Sequence, residues 1–213
     1  MHIQEQESRE VMGKLVYTYG IMGAGKTTLV LQHAYNLSKC GRKILVVKPG
    51  SDTKAGEQIE SRQCGRRDVD IILLPNDNLV DRVNLSEYND IIVDEAQFLT
   101  RKQVIELWVI SKKTNINVLC YGLSTNFMAE FFDGSEALFA FADEKNEIKR
   151  SCEICGDTAV FNARKVDGKF VLVGDSIAID GENNTEYVSM CGKHYLELLM
   201  SKEKDVQYVI KKL

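Results

Sequence analysis

Residues 20 to 27 read Gly-Ile-Met-Gly-Ala-Gly-Lys-Thr, which fits G-x-x-x-x-G-K-[ST] in full. The octet follows a β-branched and aromatic run, KLVYTYG, and opens a helix-period pattern from Lys26 to Lys39. Strand, glycine-rich loop and helix in direct succession leave the chain few folds. The glycines allow backbone N–H groups to turn inward around an anion, and the helix N-terminus behind them favours negative charge. In this pattern Lys26 neutralises β/γ-phosphate oxygens and Thr27 offers its hydroxyl to Mg²⁺. The context predicts an α/β nucleotide-binding domain.

The same rhythm continues. RKILVVKPG, DIILLP, DIIVDE and NVLCYGL are apolar runs closed by turn residues, and RKQVIELWVISKKT repeats Val104, Leu107 and Trp108 at helical spacing. Continuous apolar strands alternating with helices predict a mostly parallel sheet covered on both faces. Beyond Lys149 the texture changes to short alternating stretches with turn signals, DGK, GDS and DGENN. The expected organisation is a tail over 1–13, a phosphate-loop kinase-type domain over 14–150, and a small unit over 151–213 ending in a helix.

Composition narrows the partners. Of 213 residues 44% are hydrophobic, enough for a core, and the net charge of -4 carries no basic stripe of the kind duplex binding needs. We expect no nucleic-acid partner. No apolar run approaches a membrane span, and the polar start MHIQEQESREV is not a secretory signal. A cytoplasmic location follows as an expectation, and there paired cysteines bind metal more often than they form disulfides. Cys152 and Cys155 form a C-x-x-C knuckle, and Cys191 and His194 a C-x-x-H knuckle; together they offer four tetrahedral ligands for structural Zn²⁺. The gap between them exceeds ordinary zinc-ribbon spacing, so a segment is looped out. Cys40, Cys64 and Cys120 have no partner at ligand spacing and read as core or near-core thiols. His2 and His33 read as structural.

The stretch IIVDEAQFLT ends an apolar strand in two acids. Asp94 fits the strand-end carboxylate that orients Mg²⁺. Glu95 is open to two roles: in an ATPase it would orient water, in a kinase it would accept a proton from a substrate hydroxyl.

The phosphate loop, DEAQF, YGLSTNF and CEIC…CGKHY occur in that order, and in this the chain resembles the type II (cytosolic, zinc-containing) thymidine kinases from Lys14 to about Leu199. The resemblance implies a RecA-like phosphate-loop domain, a C-terminal zinc-held lasso and a homotetramer. It implies ATP and thymidine as ligands, with deoxyuridine as a further substrate. Glu95 becomes the general base for the nucleoside 5′-hydroxyl, residues 20–27 with Thr28 the ATP site, and Thr27 with Asp94 the Mg²⁺ site. Phe98, Leu123, Phe127, Asn162 and Tyr187 fall on nucleoside-side positions, and residues 173–187 become the lasso, whose backbone reads the base edge. Asp52 and Lys54 fall on phosphate-side positions. Ala24 stands where the family usually has Ser or Thr, Lys54 where it tends to have Arg, and Ser124 where it is usually charged. Other readings that share these motifs are a nucleic-acid-stimulated phosphate-loop ATPase and a catalytically weak nucleotide-binding or regulatory homologue.

Overall fold

The structure is a computed structural model that describes residues 12–50, 58–61, 64–175, 184–201 and 211–212. Asp52, Lys54 and the middle of the lasso, 176–183, lie outside the described residues.

Six strands form the central sheet. They are β1 (Leu15–Tyr19), β2 (Ile44–Pro49), β5 (Ile71–Leu73), β6 (Asp90–Val93), β7 (Asn117–Gly122) and β8 (Glu144–Glu147), between which a small antiparallel hairpin of β3 (Gln58–Ser61) and β4 (Gly65–Asp68) intervenes in sequence. The order is β5-β2-β6-β7-β1-β8, and every pairing in it is parallel. Strand alternation sends neighbouring apolar residues to opposite faces. Leu45, Val47, Ile91 and Val93 pack under α2 (Arg101–Lys113) and α3 (Asp133–Phe141), while Val46 and Ile92 pack against Val30, Leu31 and Ala34 of α1 (Lys26–Lys39). Burial on both faces is why β6 reads as an unbroken apolar run. Helix α2 starts with a reciprocal cap: the Gln103 N–H donates to Thr100 Oγ1 at 3.3 Å, and the Thr100 N–H donates to Gln103 Oε1 at 3.0 Å.

After β8 the chain forms β9 (Arg150–Ser151) paired with β10 (Thr158–Ala159), then a three-stranded antiparallel sheet. In that sheet β11 (Phe161–Val166) lies between β12 (Lys169–Val171) and β13 (Thr185–Met190), followed by α4 (Gly192–Met200). Tyr195 of α4 stacks on Phe161 at 4.2 Å, and its hydroxyl donates to the Phe127 carbonyl at 2.8 Å. Among the described residues no helix is long and apolar enough to cross a membrane.

The mostly parallel α/β sheet agrees with the sequence reading, but two thiols do not. Cys120 is buried in β7, whereas Cys40 and Cys64 are exposed. Cys40 caps the C-terminus of α1 beyond its apolar stripe, and Cys64 directly precedes β4 in a polar hairpin. Neither position faces a core.

The turn after β7 holds Ala129 at φ 61°, a left-handed conformation. Asn126 fixes it by accepting the N–H groups of Met128 and Glu130 at its Oδ1, at 2.8 and 3.0 Å. A Cβ at such a φ costs ~1–2 kcal/mol, and glycine returns ~0.4–1 kcal/mol of that through unfolded-state entropy. Ala129→Gly is therefore expected to raise the melting temperature by roughly 1–3 °C. A lower melting temperature in a thermal scan would contradict the strain.

Candidate active site

The phosphate loop joins β1 to α1 at the C-terminal edge of the sheet. Gly23 at φ 67° and Gly25 at φ 89° make the turn, and α1 begins on Gly25 with no side-chain cap, so its first N–H groups are free to meet an anion. Lys26 folds back on the loop, its Nζ donating to the carbonyls of Gly20 at 3.1 Å and Ile21 at 2.9 Å. Desolvation lowers its pKa to about 8; the Glu95 and Asp94 carboxylates oppose this and the Arg150 charge adds to it.

Asp94 and Glu95 follow β6, which is separated from β1 by β7, at the same end of the sheet. Asp94 is 4% exposed, and burial first, then the Glu95 charge, hold its carboxyl well above the usual range. Glu95 sits at φ 53°, a strained conformation for a residue with a Cβ that costs ~1–3 kcal/mol and marks many functional sites. Its Oε2 accepts from Gln97 Nε2 at 2.5 Å, and Gln97 Oε1 in turn accepts the Leu123 N–H at 3.0 Å. Gln97 is 2% exposed and so close to β7 that a Cβ at Gly122 would come within 2.7 Å of Oε1. The Leu123 carbonyl accepts from the Tyr17 hydroxyl at 2.7 Å and the Ser135 hydroxyl at 2.6 Å. The Glu95 carboxylate is thus tied through one amide side chain to a doubly fixed backbone.

A cleft of about 470 Å³ brings Gly23, Gly25, Lys26, Thr27 and Thr28 together with Glu95 and Leu123. Glu60 and Ser61 of the β3–β4 hairpin close its far side, and Ser61 Oγ lies 2.8 Å from Thr28 Oγ1. Phe98 lines a separate cavity of about 330 Å³ with Gln97, Asn126 and Glu130, edge-on to Phe132 at 5.7 Å. Phe127 is 1% exposed, and the Arg164 guanidinium lies 3.6 Å from its ring centroid. Arg164 Nη1 also donates to the Asp175 carbonyl at 2.6 Å, which ties the start of the lasso to that ring. Tyr187 stands opposite Arg164 in the β11–β13 pairing. Asn162 contacts the phosphate loop, its Oδ1 accepting the Met22 N–H at 2.8 Å. Ile21 turns away from the cleft and packs on Cys152, Ala159 and Cys191.

Cys152, Cys155, Cys191 and His194 converge, with all ligand atoms within 4.8 Å of one another. Cys155 Sγ is 3.8 Å from Cys191 Sγ, and His194 Nδ1 is 3.6 Å from Cys152 Sγ and 3.3 Å from Cys191 Sγ. A tetrahedron with Zn–S bonds of ~2.3 Å has S–S edges of ~3.8 Å, so the donor set fits zinc in kind and spacing. Burial pushes the Cys152 thiol up, but the backbone at Cys191, Ile154 and Cys155 and the His194 ring outweigh it and bring the thiol down to about 6, toward the thiolate a metal takes.

Sequence reasoning missed Gln97, Glu60, Ser61, Arg150 and Arg164 at the site. Gln97 lies inside the DEAQF string, but its burial and its contact with Glu95 appear only in the structure. The others carry no motif.

Fold and site define a phosphate-loop α/β protein with paired carboxylates beside the loop and a Cys₃His cluster. A family model described as thymidine kinase matches residues 13–195. The chain is similar to the thymidine kinase of Legionella pneumophila (strain Paris), 37% identical over 190 residues, covering 86% of this chain and 90% of that protein. It is similar to that of Francisella tularensis (strain SCHU S4), 37% identical with 87% and 98% covered, and to that of Haemophilus influenzae, 38% identical with 87% and 97% covered. The chain belongs to the thymidine kinase family, a family of phosphotransferases, and membership supports thymidine phosphorylation as its general activity.

Proposed function

We propose that the chain transfers the γ-phosphoryl group of ATP to the 5′-hydroxyl of thymidine, and of deoxyuridine. The observation that carries this reading is the Glu95 carboxylate, held by Gln97 in the same cleft as Lys26 and Thr27. The 5′-oxygen forms a bond to the γ-phosphorus while the bond from that phosphorus to the β–γ bridging oxygen breaks. ADP leaves, and Glu95 takes the hydroxyl proton. The loop N–H groups and Lys26 bind the phosphates. Thr27 and Asp94 would hold Mg²⁺, which neutralises charge on the β- and γ-oxygens; the acid–hydroxyl pair is the hard-oxygen donor set that ion takes. The Cys₃His cluster would hold one structural Zn²⁺ at the base of the lasso. The division into 14–150 and 151–213 and assembly as a homotetramer are part of the same proposal.

Specificity follows from the lasso. A backbone that pairs with a pyrimidine 2,4-dione meets the wrong donor pattern in cytosine, and each unpaired buried group costs ~1–3 kcal/mol. Phe98, Leu123, Phe127, Asn162 and Tyr187 are assigned to the nucleoside side, and Asp52 and Lys54 to the phosphate side. Nucleoside-dependent ADP release should be fast with thymidine and deoxyuridine, at least about tenfold poorer in kcat/KM with deoxycytidine, and absent with deoxyadenosine and deoxyguanosine. Equal kcat/KM for deoxycytidine and thymidine would remove backbone reading of the base. No release with any nucleoside would remove the kinase reading.

A further inference from the structure

Both backbone groups of Met22, at the crown of the phosphate loop, are held from outside the loop. The N–H donates to Asn162 Oδ1 on β11, and the carbonyl accepts Arg150 Nη1 on β9 at 2.8 Å. The guanidinium occupies space that a side chain at residue 23 would fill: a Cβ on Gly23 would lie 2.2 Å from Nη1 and 3.0 Å from Cζ. On its other side Arg150 Nη2 meets Glu153 Oε1 at 3.2 Å, and Glu153 is itself fixed, its N–H donating to the Ser189 carbonyl at 3.0 Å and its Oε1 accepting the Ser189 N–H at 3.2 Å. One planar fork therefore bridges the loop and the strand pair that carries the Cys₃His cluster. An ammonium at the same place lacks that fork.

We infer that Arg150 is a positioning residue for phosphate binding, a strut from the Cys₃His unit that sets the Met22–Gly23 peptide and requires glycine at residue 23. The inference rests on reading residues 20–27 as the ATP loop. The peptide group is planar and trans, so its C=O and N–H point in opposite directions. Holding the Met22 carbonyl toward Arg150 turns the Gly23 N–H away from it. A loop that binds anions through backbone N–H groups depends on such orientations being set before the ligand arrives. The nucleoside side has its own fixed frame in Gln97, Leu123 and Ser135, which Arg150 does not touch. The strut should therefore act on one substrate and not the other.

The experiment measures equilibrium dissociation constants of the zinc-loaded full chain for a fluorescent ATP analogue with Mg²⁺ and, separately, for thymidine. The variants are Arg150→Met, Arg150→Lys, Gly23→Ala, the Gly23→Ala/Arg150→Met double, and Lys26→Ala as the control for the loop itself. Arg150→Met is expected to weaken the analogue about tenfold or more, the scale of one lost hydrogen bond from a charged donor. Thymidine binding should stay within about twofold, with zinc content and melting kept, and Arg150→Lys should recover part of the loss. Gly23→Ala already displaces the guanidinium, so adding Arg150→Met to it should cost less than about twofold more, a non-additive cycle. Additive losses, or equal weakening of both ligands, would overturn the strut. If the wild-type chain binds the analogue no better than Lys26→Ala, the ATP-loop reading fails and the strut falls with it; if only the Arg150 variants behave like wild type, the strut alone fails.

Discussion

Glu95→Gln is expected to lower kcat by ~10²–10⁴-fold while leaving the dissociation constant for ATP–Mg²⁺ within about twofold. The substitution keeps the shape of the side chain and an oxygen that can accept from Gln97 Nε2, so the link to Leu123 survives. It removes only the capacity to take a proton. On the proposed reading the loop and Lys26 would hold the phosphates elsewhere in the cleft, so binding should be spared. Lys26→Ala should do the reverse and weaken nucleotide binding itself. Single-turnover rates with thymidine, set beside equilibrium binding of an ATP analogue, separate the two effects. Turnover within about threefold of wild type would remove Glu95 as general base and leave it a residue that shapes the cleft.

What the sequence disclosed follows from how each residue is constrained. Strands β2, β6 and β7 were legible because both their faces are buried, which forces apolar runs such as ILVV and DIIV. Strand β8, of sequence EKNE, was not. It is an edge strand with every side chain exposed, held beside β1 by backbone pairing and an exposed Lys14–Glu144 ion pair, neither of which leaves an apolar pattern. The β3–β4 hairpin was missed because Ile59 is its one buried apolar side chain, too little for a strand pattern, although Glu60 and Ser61 line the cleft. The metal cluster was legible because two-residue gaps in C-x-x-C and C-x-x-H are ligand geometry written directly into the chain. Arg150 and Arg164 were invisible: a single arginine at a strand position looks like surface until tertiary structure sets it on Met22 or on Phe127. Asn162 came from the family resemblance as a nucleoside-side residue, and here its Oδ1 accepts from the phosphate loop.

That contact bears on what metal removal should do. Purified chain is expected to carry about one zinc, the stoichiometry of a single four-ligand structural site. Without the ion, three thiols and an imidazole within 4.8 Å must share protons or repel, and the two knuckles lose the anchor they share. Ile21 of the phosphate loop packs on Cys152 and Cys191, and Asn162 holds Met22 from β11. Loosening the cluster should therefore reach the ATP site as well as the lasso. Binding energy in such units is folding energy, on the order of 10 kcal/mol for small zinc modules, so a large local loss is expected even where the central sheet stays folded. Cys152→Ser should lose the metal, lower the melting temperature, speed amide hydrogen exchange across β9–β13 and raise KM for both thymidine and ATP, while exchange in β2 and β6 changes little. The spread to the ATP side distinguishes this from a simple lasso defect: a rise in thymidine KM alone would show that the loop stands without the cluster. Metal-free protein with unchanged melting and exchange would show that the four ligands hold nothing the fold needs.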